Sequence, residues 1–220
     1  MQVRRDPDGT VEWVWRYGRV FSRAWVHTHT VGLEHIPPWG PVILAGNHRS
    51  HSDIPAVVGA LSRRIVFAAN DELWDTSRIL AFVLDTQGCP RVHHSGVDRQ
   101  ALNDCVAMLE RDRILGIFPE GGLHPEGLAP FEAGAAFLAV HTGAPLVPFG
   151  LAGTLDAWGN GEWPPIRSRR VMMVVGEPLY PNPDLVRRAA TRDLTERLRH
   201  AVEACVARAE RIRARALGRR

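Results

Sequence analysis

The chain has no lysine, so every one of its 27 side-chain cations other than histidine is an arginine. Long apolar runs are absent too: no segment reaches the roughly 18 apolar residues of a membrane-spanning helix, and the N-terminus has no apolar signal core. Cysteines are few, odd in number and without metal-ligand spacing; they are Cys89, Cys105 and Cys205. We therefore expect reduced, structural cysteines in a cytoplasmic protein.

Motifs of several function classes are also missing. The sequence has no Gly-x-Ser-x-Gly elbow for a nucleophilic serine. No nucleic-acid-binding motif accompanies the arginines, so we expect no nucleic acid partner. What is present is a chain of 220 residues with 45% hydrophobic content, which is enough to bury a sizeable core. Because neither an internal repeat nor a linker divides it, we predict one domain over residues 1–220.

Short apolar runs alternate with helical patterns along the chain. The candidate strands are 42–45, 65–69, 89–93, 114–118, 146–150 and 171–175. The candidate helices are 54–61, 77–84, 97–111, 132–142 and 185–216. This alternation predicts an α/β fold with a largely parallel central sheet flanked by helices. Active residues of such a fold lie in the loops beyond the strand ends.

The most informative stretch reads Asn-His-Arg-Ser-His-Ser-Asp over residues 47–53 and follows the apolar run at 42–45. On a continuous helix, positions five apart point roughly 140° away from each other. His48 and Asp53 can therefore pair only if His48 lies in a strand-to-helix turn and Asp53 in the first helical turn. A carboxylate on one imidazole nitrogen fixes the tautomer and stabilises the cation that forms when the other nitrogen takes a proton. The pair predicts a general base that removes a hydroxyl proton.

A second cluster, Phe-Pro-Glu-Gly at 118–121, follows another apolar strand about seventy residues later. In this order and spacing, the two clusters resemble the first and third blocks of the glycerolipid acyltransferase family, typified by bacterial 1-acylglycerol-3-phosphate acyltransferases. The first block, Asn-His-x-Ser-x-x-Asp, is matched in full. The segments at 131–134 and 143–148 look like the fourth block. The resemblance covers about residues 30–180.

The resemblance implies transfer of a fatty acyl group from acyl-CoA or acyl-carrier protein to a hydroxyl of a lysophospholipid-type acceptor. His48 would take the hydroxyl proton and Asp53 would orient His48. Glu120, with the turn at Gly121 and Gly122, would orient the site or position the acceptor. Backbone amides of these turns would stabilise the tetrahedral oxyanion. Neither a metal nor an organic cofactor is implied.

Three positions depart from the family pattern where cations normally hold the phosphate of the acceptor. His94 and Leu123 stand where the second and third blocks have arginine, and Glu132 stands where many members have lysine. Neither leucine nor a neutral imidazole replaces a bidentate guanidinium. Arg91, Arg99 and a protonated His93 or His94 are the candidate replacements, and we expect Arg91 and His94 to bind the acceptor. An acceptor without a phosphate monoester stays an alternative.

The two ends of the chain carry different patterns. Residues 184–220 hold eleven arginines against five acidic residues, a net charge of +6 in a chain of net +3. Apolar residues at spacings of three and four predict one long helix over 184–218 that docks on the core. Residues 10–26 mix aromatic residues with arginine, as helices in a membrane interface do; packing on the core is the alternative. With a lipid acceptor, this segment predicts peripheral contact with the cytoplasmic membrane face.

Two rival functions stay open. A metal-dependent hydrolase would use His48, His51 and Asp53 as ligands, although their spacing fits neither the usual zinc signatures nor their helical forms. A non-catalytic lipid-binding protein would bind membrane or lysolipid without turnover. That second alternative would leave the pairing of His48 with Asp53 without a purpose.

Overall fold

Strands and helices alternate through the computed structural model of the chain, which describes residues 9–92, 99–157 and 168–218. The strands are β1 (Val26–Val31), β2 (Val42–Gly46), β3 (Ile65–Phe67), β4 (Ala69–Asn70), β5 (Arg91–Val92), β6 (Ile114–Ile117), β7 (Leu146–Ala152) and β8 (Ser168–Val175). The helices are α1 (Gly9–Trp25), α2 (Asp53–Ala60), α3 (Leu73–Thr76), α4 (Arg78–Gln87), α5 (Arg99–Leu109), α6 (Gly134–Thr142) and α7 (Arg187–Leu217).

The main sheet has the strand order β1-β8-β7-β2-β6-β3. β2 lies at its centre and runs parallel to both β6 and β7, and β3 runs parallel to β6. Only β7 and β8 pair in antiparallel orientation among the described strands of this sheet. The predicted largely parallel sheet flanked by helices is therefore confirmed. Its central strands are apolar throughout because helices cover both of their faces.

Some strands differ from the sequence prediction. The run predicted at 65–69 divides into β3 and β4, and β4 leaves the main sheet to pair with β5. The run predicted at 89–93 forms a strand only at Arg91–Val92 within the described residues. β1 was not predicted, because its alternation of histidine and threonine does not give an apolar run. It lies at an edge of the sheet, where one side of a strand can face water.

The two faces of the sheet have separate apolar cores. On one face, α1 and α2 pack over residues such as Trp15, Val57 and Phe149. On the other face lie α5, α6 and α7, with Leu109 and Leu198 among the buried side chains. The long helix predicted at 184–218 is confirmed as α7, which has 31 residues.

α7 packs directly against β7, and a glycine makes the close approach possible. A Cβ atom at Gly150 would collide with the backbone of α7 at Val206. Leu194, Leu198 and Val202 recur at a spacing of four along the buried face of the helix. This periodicity explains why α7 could be identified from the sequence.

α1 has a buried side and an exposed aromatic side. Trp15 is 7% exposed, whereas Trp13, Tyr17, Val20 and Phe21 are each more than half exposed. The helix contacts α2 and α4. The segment predicted at 10–26 therefore packs on the core through one face and leaves an aromatic face uncovered. No helix among the described residues is long and apolar enough to cross a membrane.

Candidate active site

The ends of β2 and β6 bring the two sequence clusters together at one edge of the sheet. His48 lies just beyond the end of β2, and Asp53 is the first residue of α2. The turn between them places His48 Nδ1 2.9 Å from Asp53 Oδ2. The Asp53 side chain is fully buried, whereas that of His48 is 16% exposed. The pairing that the spacing allowed is thus present in the structure.

The carboxylate of Asp53 organises the whole turn. Its Oδ2 atom also accepts hydrogen bonds from the backbone N–H groups of Arg49 at 2.7 Å and Ser50 at 2.8 Å. An ionised carboxylate can only accept, so the Nδ1 atom of His48 is the one that carries a proton. The other ring nitrogen, Nε2, is then an acceptor, and it has no hydrogen-bond partner among the described residues. A nitrogen in this state can receive a proton from a substrate.

The ring of His48 is part of a stack of aromatic rings. It stacks on Phe118 with the ring centroids 4.0 Å apart and an interplanar angle of 9°. Phe118 stacks in turn on Phe67, at a centroid distance of 5.2 Å. A Cβ atom at Gly116 would collide with the ring of Phe67. This glycine in β6 therefore makes room for the stacked phenylalanines, which cover one face of the His48 ring.

Glu120 holds the backbone of the His48 turn. Its Oε1 atom accepts from the N–H of His48 at 2.7 Å, and its Oε2 atom accepts from the N–H of Ala129 at 2.8 Å. Burial raises the pKa of Glu120, while these two backbone hydrogen bonds and the nearby His124 and His48 lower it. Both carboxylate oxygens are engaged with the protein itself. The geometry therefore favours Glu120 as a group that orients the site over one that holds the acceptor.

His124 is a further site residue, which sequence reasoning did not identify. Its backbone N–H donates to the carbonyl of His48 at 2.7 Å. Its ring lies beside Gly122, because a Cβ atom there would be 4.0 Å from His124 Nε2. The signal in the sequence was a histidine four positions after Glu120 in the same glycine-rich turn. Glu120 and His124 together bond both backbone polar groups of His48.

The other side of the turn is tied to β7. Asn47 forms a reciprocal pair with the backbone of Leu151: Nδ2 donates to the carbonyl at 3.2 Å, and the N–H of Leu151 donates to Oδ1 at 2.8 Å. The hydroxyl of Ser52 donates to the carbonyl of Thr154 at 2.6 Å. Asn47, Ser52 and Thr154 are all buried. The His48 turn is therefore held from both neighbours of β2 within the protein itself, as a preorganised site requires.

Gly121 and Gly122 form the turn that follows Glu120. Gly121 has φ 72°, a backbone conformation that favours glycine. A Cβ atom at Gly121 would also lie 3.0 Å from Glu132 Oε1. The N–H of Glu132 donates to the carbonyl of Pro119 at 2.7 Å. The segment predicted as the fourth block thus folds against the third.

Of the two predicted cations of the second block, Arg91 is not brought to this turn. Arg91 pairs with Asp85 at 3.0 Å and stacks on Trp74, with the guanidinium carbon 4.1 Å from the ring centroid. No hydrogen bond or ion pair joins Arg91 to the turns of His48 or Glu120 in the part of the chain that the structure describes. His94 lies outside the described residues. Their predicted roles in acceptor binding stay predictions.

The arrangement of titratable side chains bears on the metal-hydrolase alternative. Across residues 9–92, 99–157 and 168–218, no group of three or more histidine, cysteine or acidic side chains is arranged to hold a metal ion. His48 directs Nδ1 at Asp53. The described residues therefore offer no ligand set for the hydrolase that His48, His51 and Asp53 would have formed.

Comparisons with known proteins all find similarity to acyltransferases. The family model described as Acyltransferase matches residues 27–152. The 1-acyl-sn-glycerol-3-phosphate acyltransferase alpha of Mus musculus is 29% identical over 141 residues, which cover 60% of this chain and 47% of the relative. The chloroplastic 1-acyl-sn-glycerol-3-phosphate acyltransferase BAT2 of Brassica napus is 26% identical over 157 residues, which cover 70% of this chain and 45% of the relative.

A solved structure shows the same fold. The 1-acyl-sn-glycerophosphate (LPA) acyltransferase PlsC from Thermotoga maritima superposes with a TM-score of 0.62 at 22% identity. The match covers 86% of this chain and 78% of that chain. The present chain spans about half the length of the curated relatives it matches. The family match includes both the His48 turn and the Glu120 turn.

Proposed function

This chain belongs to the acyltransferase family, and from that premise we propose that it transfers a fatty acyl group from a thioester donor to a hydroxyl of a lysophospholipid-type acceptor. The observation that carries the proposal is the hydrogen-bonded pair of His48 and Asp53, with Nε2 of His48 left open. The mammalian and chloroplast relatives are named for 1-acyl-sn-glycerol-3-phosphate. Those names support an acceptor of that class. The donor is acyl-CoA or acyl-carrier protein.

In the proposed reaction, the acceptor hydroxyl attacks the carbonyl carbon of the thioester. Nε2 of His48 takes the hydroxyl proton as the carbon–oxygen bond forms, and Asp53 stabilises the resulting imidazolium. The tetrahedral intermediate then breaks its carbon–sulfur bond. The leaving thiolate takes the proton from Nε2, so that an ester and a free thiol are released. No covalent acyl-enzyme is needed.

The negative charge of the tetrahedral intermediate requires a hydrogen-bond donor. The N–H of Gly121 already donates to the carbonyl of Phe118 at 3.2 Å. The N–H of Gly122 has no bond to any residue that the structure describes, and this glycine lies in the turn that follows Glu120. We therefore assign the oxyanion contact to the backbone of Gly122.

Acceptor recognition differs here from the family pattern, because Leu123 stands where the family has arginine. We assign contact with the acceptor phosphate to Arg49, the residue that follows His48, and to His124, whose backbone N–H donates to the carbonyl of His48. The guanidinium of Arg49 pairs with the half-exposed Glu210 at 2.9 Å, and a phosphate could compete for that cation. An acceptor without a phosphate monoester is the alternative, and the exposed leucine at position 123 favours it.

The lipid substrate would be met at a membrane surface, through α1. The side chains of Trp13 and Phe21 are 61% and 67% exposed. On α4, which contacts α1, Ile79 and Phe82 are 78% and 59% exposed. An exposed group of large apolar side chains flanked by arginines suits the interface of a bilayer. We assign this surface to reversible contact with the cytoplasmic membrane face.

The test is thiol release from a long-chain acyl-CoA, measured for the unaltered protein and for His48→Ala. Lysophosphatidic acid and a neutral monoacylglycerol serve as the two acceptors, and acyl-carrier protein as the second donor. We expect acceptor-dependent release that disappears in His48→Ala, with lysophosphatidic acid as the better acceptor. Release that persists in His48→Ala would refute the role of the base. Lipid binding without release from either donor would instead identify the non-catalytic alternative.

A further inference from the structure

A groove of about 600 Å³ lies on the face of the sheet opposite α1, between α6 and the first turns of α7. Its volume is in the range of small-molecule sites. Three arginines of α7 line one side: Arg187, Arg188 and Arg192. The other side is apolar and includes Phe131 and Phe137. Nothing in the proposed chemistry at His48 uses these residues.

The charge of the three arginines is not neutralised by any ion pair within the part of the chain that the structure describes. Further along the same helix, Arg197 pairs with Asp193 at 3.2 Å and Arg199 pairs with Glu196 at 3.6 Å. Glu196 also lines the groove, and its ion pair is with Arg199 rather than with any of these three arginines. A concave site with three uncompensated guanidinium groups attracts an anion with several negative charges.

The apolar side of the groove is suited to binding a flat ring. Phe137 is 43% exposed although it lies within α6. Its ring lies parallel to that of His141, at a centroid distance of 6.0 Å and an interplanar angle of 5°. Aromatic faces of this kind can stack with a nucleotide base. The groove thus combines cations for phosphates with an aromatic surface for a base.

One end of the groove adjoins the catalytic turn. Phe131 lines the groove and is followed by Glu132, whose N–H donates to the carbonyl of Pro119 at 2.7 Å. Glu120 is the next residue after Pro119 and binds the N–H of His48. A ligand in the groove could therefore extend a flexible arm over the Gly121 turn towards Nε2 of His48. The acceptor would approach from the membrane-facing side, and the two substrates would meet at the edge of the sheet.

We propose that this groove binds the phosphate-bearing nucleotide of acyl-CoA, while the thioester arm reaches over the turn at 121–122 to His48. The inference rests on the proposed acyl transfer. A carrier protein would need an extended interface of about 1,000 Å² or more. A concave groove of about 600 Å³, with arginines on one side and exposed Phe137 on the other, fits a nucleotide better than such a surface.

The test is a double substitution, Arg188→Gln with Arg192→Gln, in the full chain. We expect the KM for acyl-CoA to rise about tenfold, since two charge-assisted contacts at an exposed site are lost. The kcat and the KM for the acceptor should not change. With S-acyl pantetheine, which lacks the nucleotide, the variant should match the unaltered protein. Phe137→Ala should raise the KM for acyl-CoA in the same selective way.

The matched control is Arg211→Gln with Arg215→Gln, which removes the same charge from the far end of α7, where both side chains are exposed. It should leave the KM for acyl-CoA unchanged. An unchanged KM in the groove variant, an equal rise with both donors, or a defect confined to acyl-carrier protein would overturn the proposal. If the unaltered protein transfers no acyl group at all, the acyltransferase proposal fails, and calorimetric titration with CoA still decides whether the groove binds the nucleotide.

Discussion

Replacing Asp53 with asparagine removes a negative charge and keeps the hydrogen bonds that shape the catalytic turn. Oδ2 of Asp53 accepts from His48 Nδ1 and from the backbone N–H groups of Arg49 and Ser50. An amide oxygen can accept all three. The other oxygen, Oδ1, is buried without a hydrogen-bond partner among the described residues. The amide nitrogen can take that position without displacing a bond, so Asp53→Asn keeps the bonds of Oδ2, at some cost in stability because its N–H groups are buried without an acceptor in the described part of the chain.

The expected effect is on the chemical step. The neutral amide no longer stabilises the imidazolium that forms when Nε2 of His48 accepts the proton. General-base catalysis contributes about 10²–10⁴-fold, and we expect kcat to fall by about 10²–10³-fold. This fall corresponds to about 3–4 kcal/mol of transition-state stabilisation. The KM values should change little, since Asp53 is fully buried.

The assay is thiol release from acyl-CoA, with a circular-dichroism melt to show that the variant is folded. Asp53→Ala is the contrasting variant, because it loses the three hydrogen bonds and should melt at a lower temperature. The double variant Asp53→Asn with His48→Ala should be no slower than His48→Ala alone, because the two residues act as a unit. Full kcat in Asp53→Asn, or additive losses in the double variant, would refute the reasoning.

Three further outcomes are expected. Burial raises the pKa of Glu120, so the folded protein keeps this proton to higher pH than the unfolded chain. Stability is therefore lost as pH rises from the ordinary carboxyl pKa through the raised one. Glu120→Gln should remove that part of the dependence of Tm on pH. Leu123 is 37% exposed, so Leu123→Arg should fold. It should lower the KM for lysophosphatidic acid several-fold and leave the KM for monoacylglycerol unchanged. Equal effects on both KM values would exclude a phosphate contact. Trp13→Ser with Phe21→Ser should reduce sedimentation with anionic vesicles, whereas Trp39→Ser, at an exposed tryptophan outside α1, should not; equal loss in both would argue against a membrane surface on α1.

The parts of the fold that the sequence predicts best are its central strands and its long helix. Strands buried on both faces read as apolar runs, and α7 repeats leucine and valine at a spacing of four over many turns. β1 could not be found this way because its exposed side carries His27 and His29. Its position depends on pairing with β8, more than 130 residues later. The local sequence of β1 does not indicate that it pairs with β8.

The same distinction applies to the site, where contacts within one turn could be predicted and contacts between strands could not. The pairing of His48 with Asp53 follows from a short turn, so spacing alone was sufficient to predict it. The hydrogen bond from the N–H of His48 to Glu120 depends on the parallel register of β2 and β6, which only the folded chain defines. Arg91 failed to reach this turn because Asp85 and Trp74, neither of them in the motif, engage its guanidinium.

Main-chain hydrogen bonds fix His48 and the two residues after it, while the side chains of Asn47 and Ser52 tie the turn to Leu151 and Thr154. Glu120 and His124 bond the N–H and the carbonyl of His48, and Asp53 accepts the N–H groups of the next two residues. Side chains at positions 51 and 123 take no part in these bonds and are exposed. Under the proposed function, substitutions at these two positions should alter acceptor preference without disturbing the bonds that hold His48. The proposed choice of acceptor and the geometry of the proposed base would then depend on different residues.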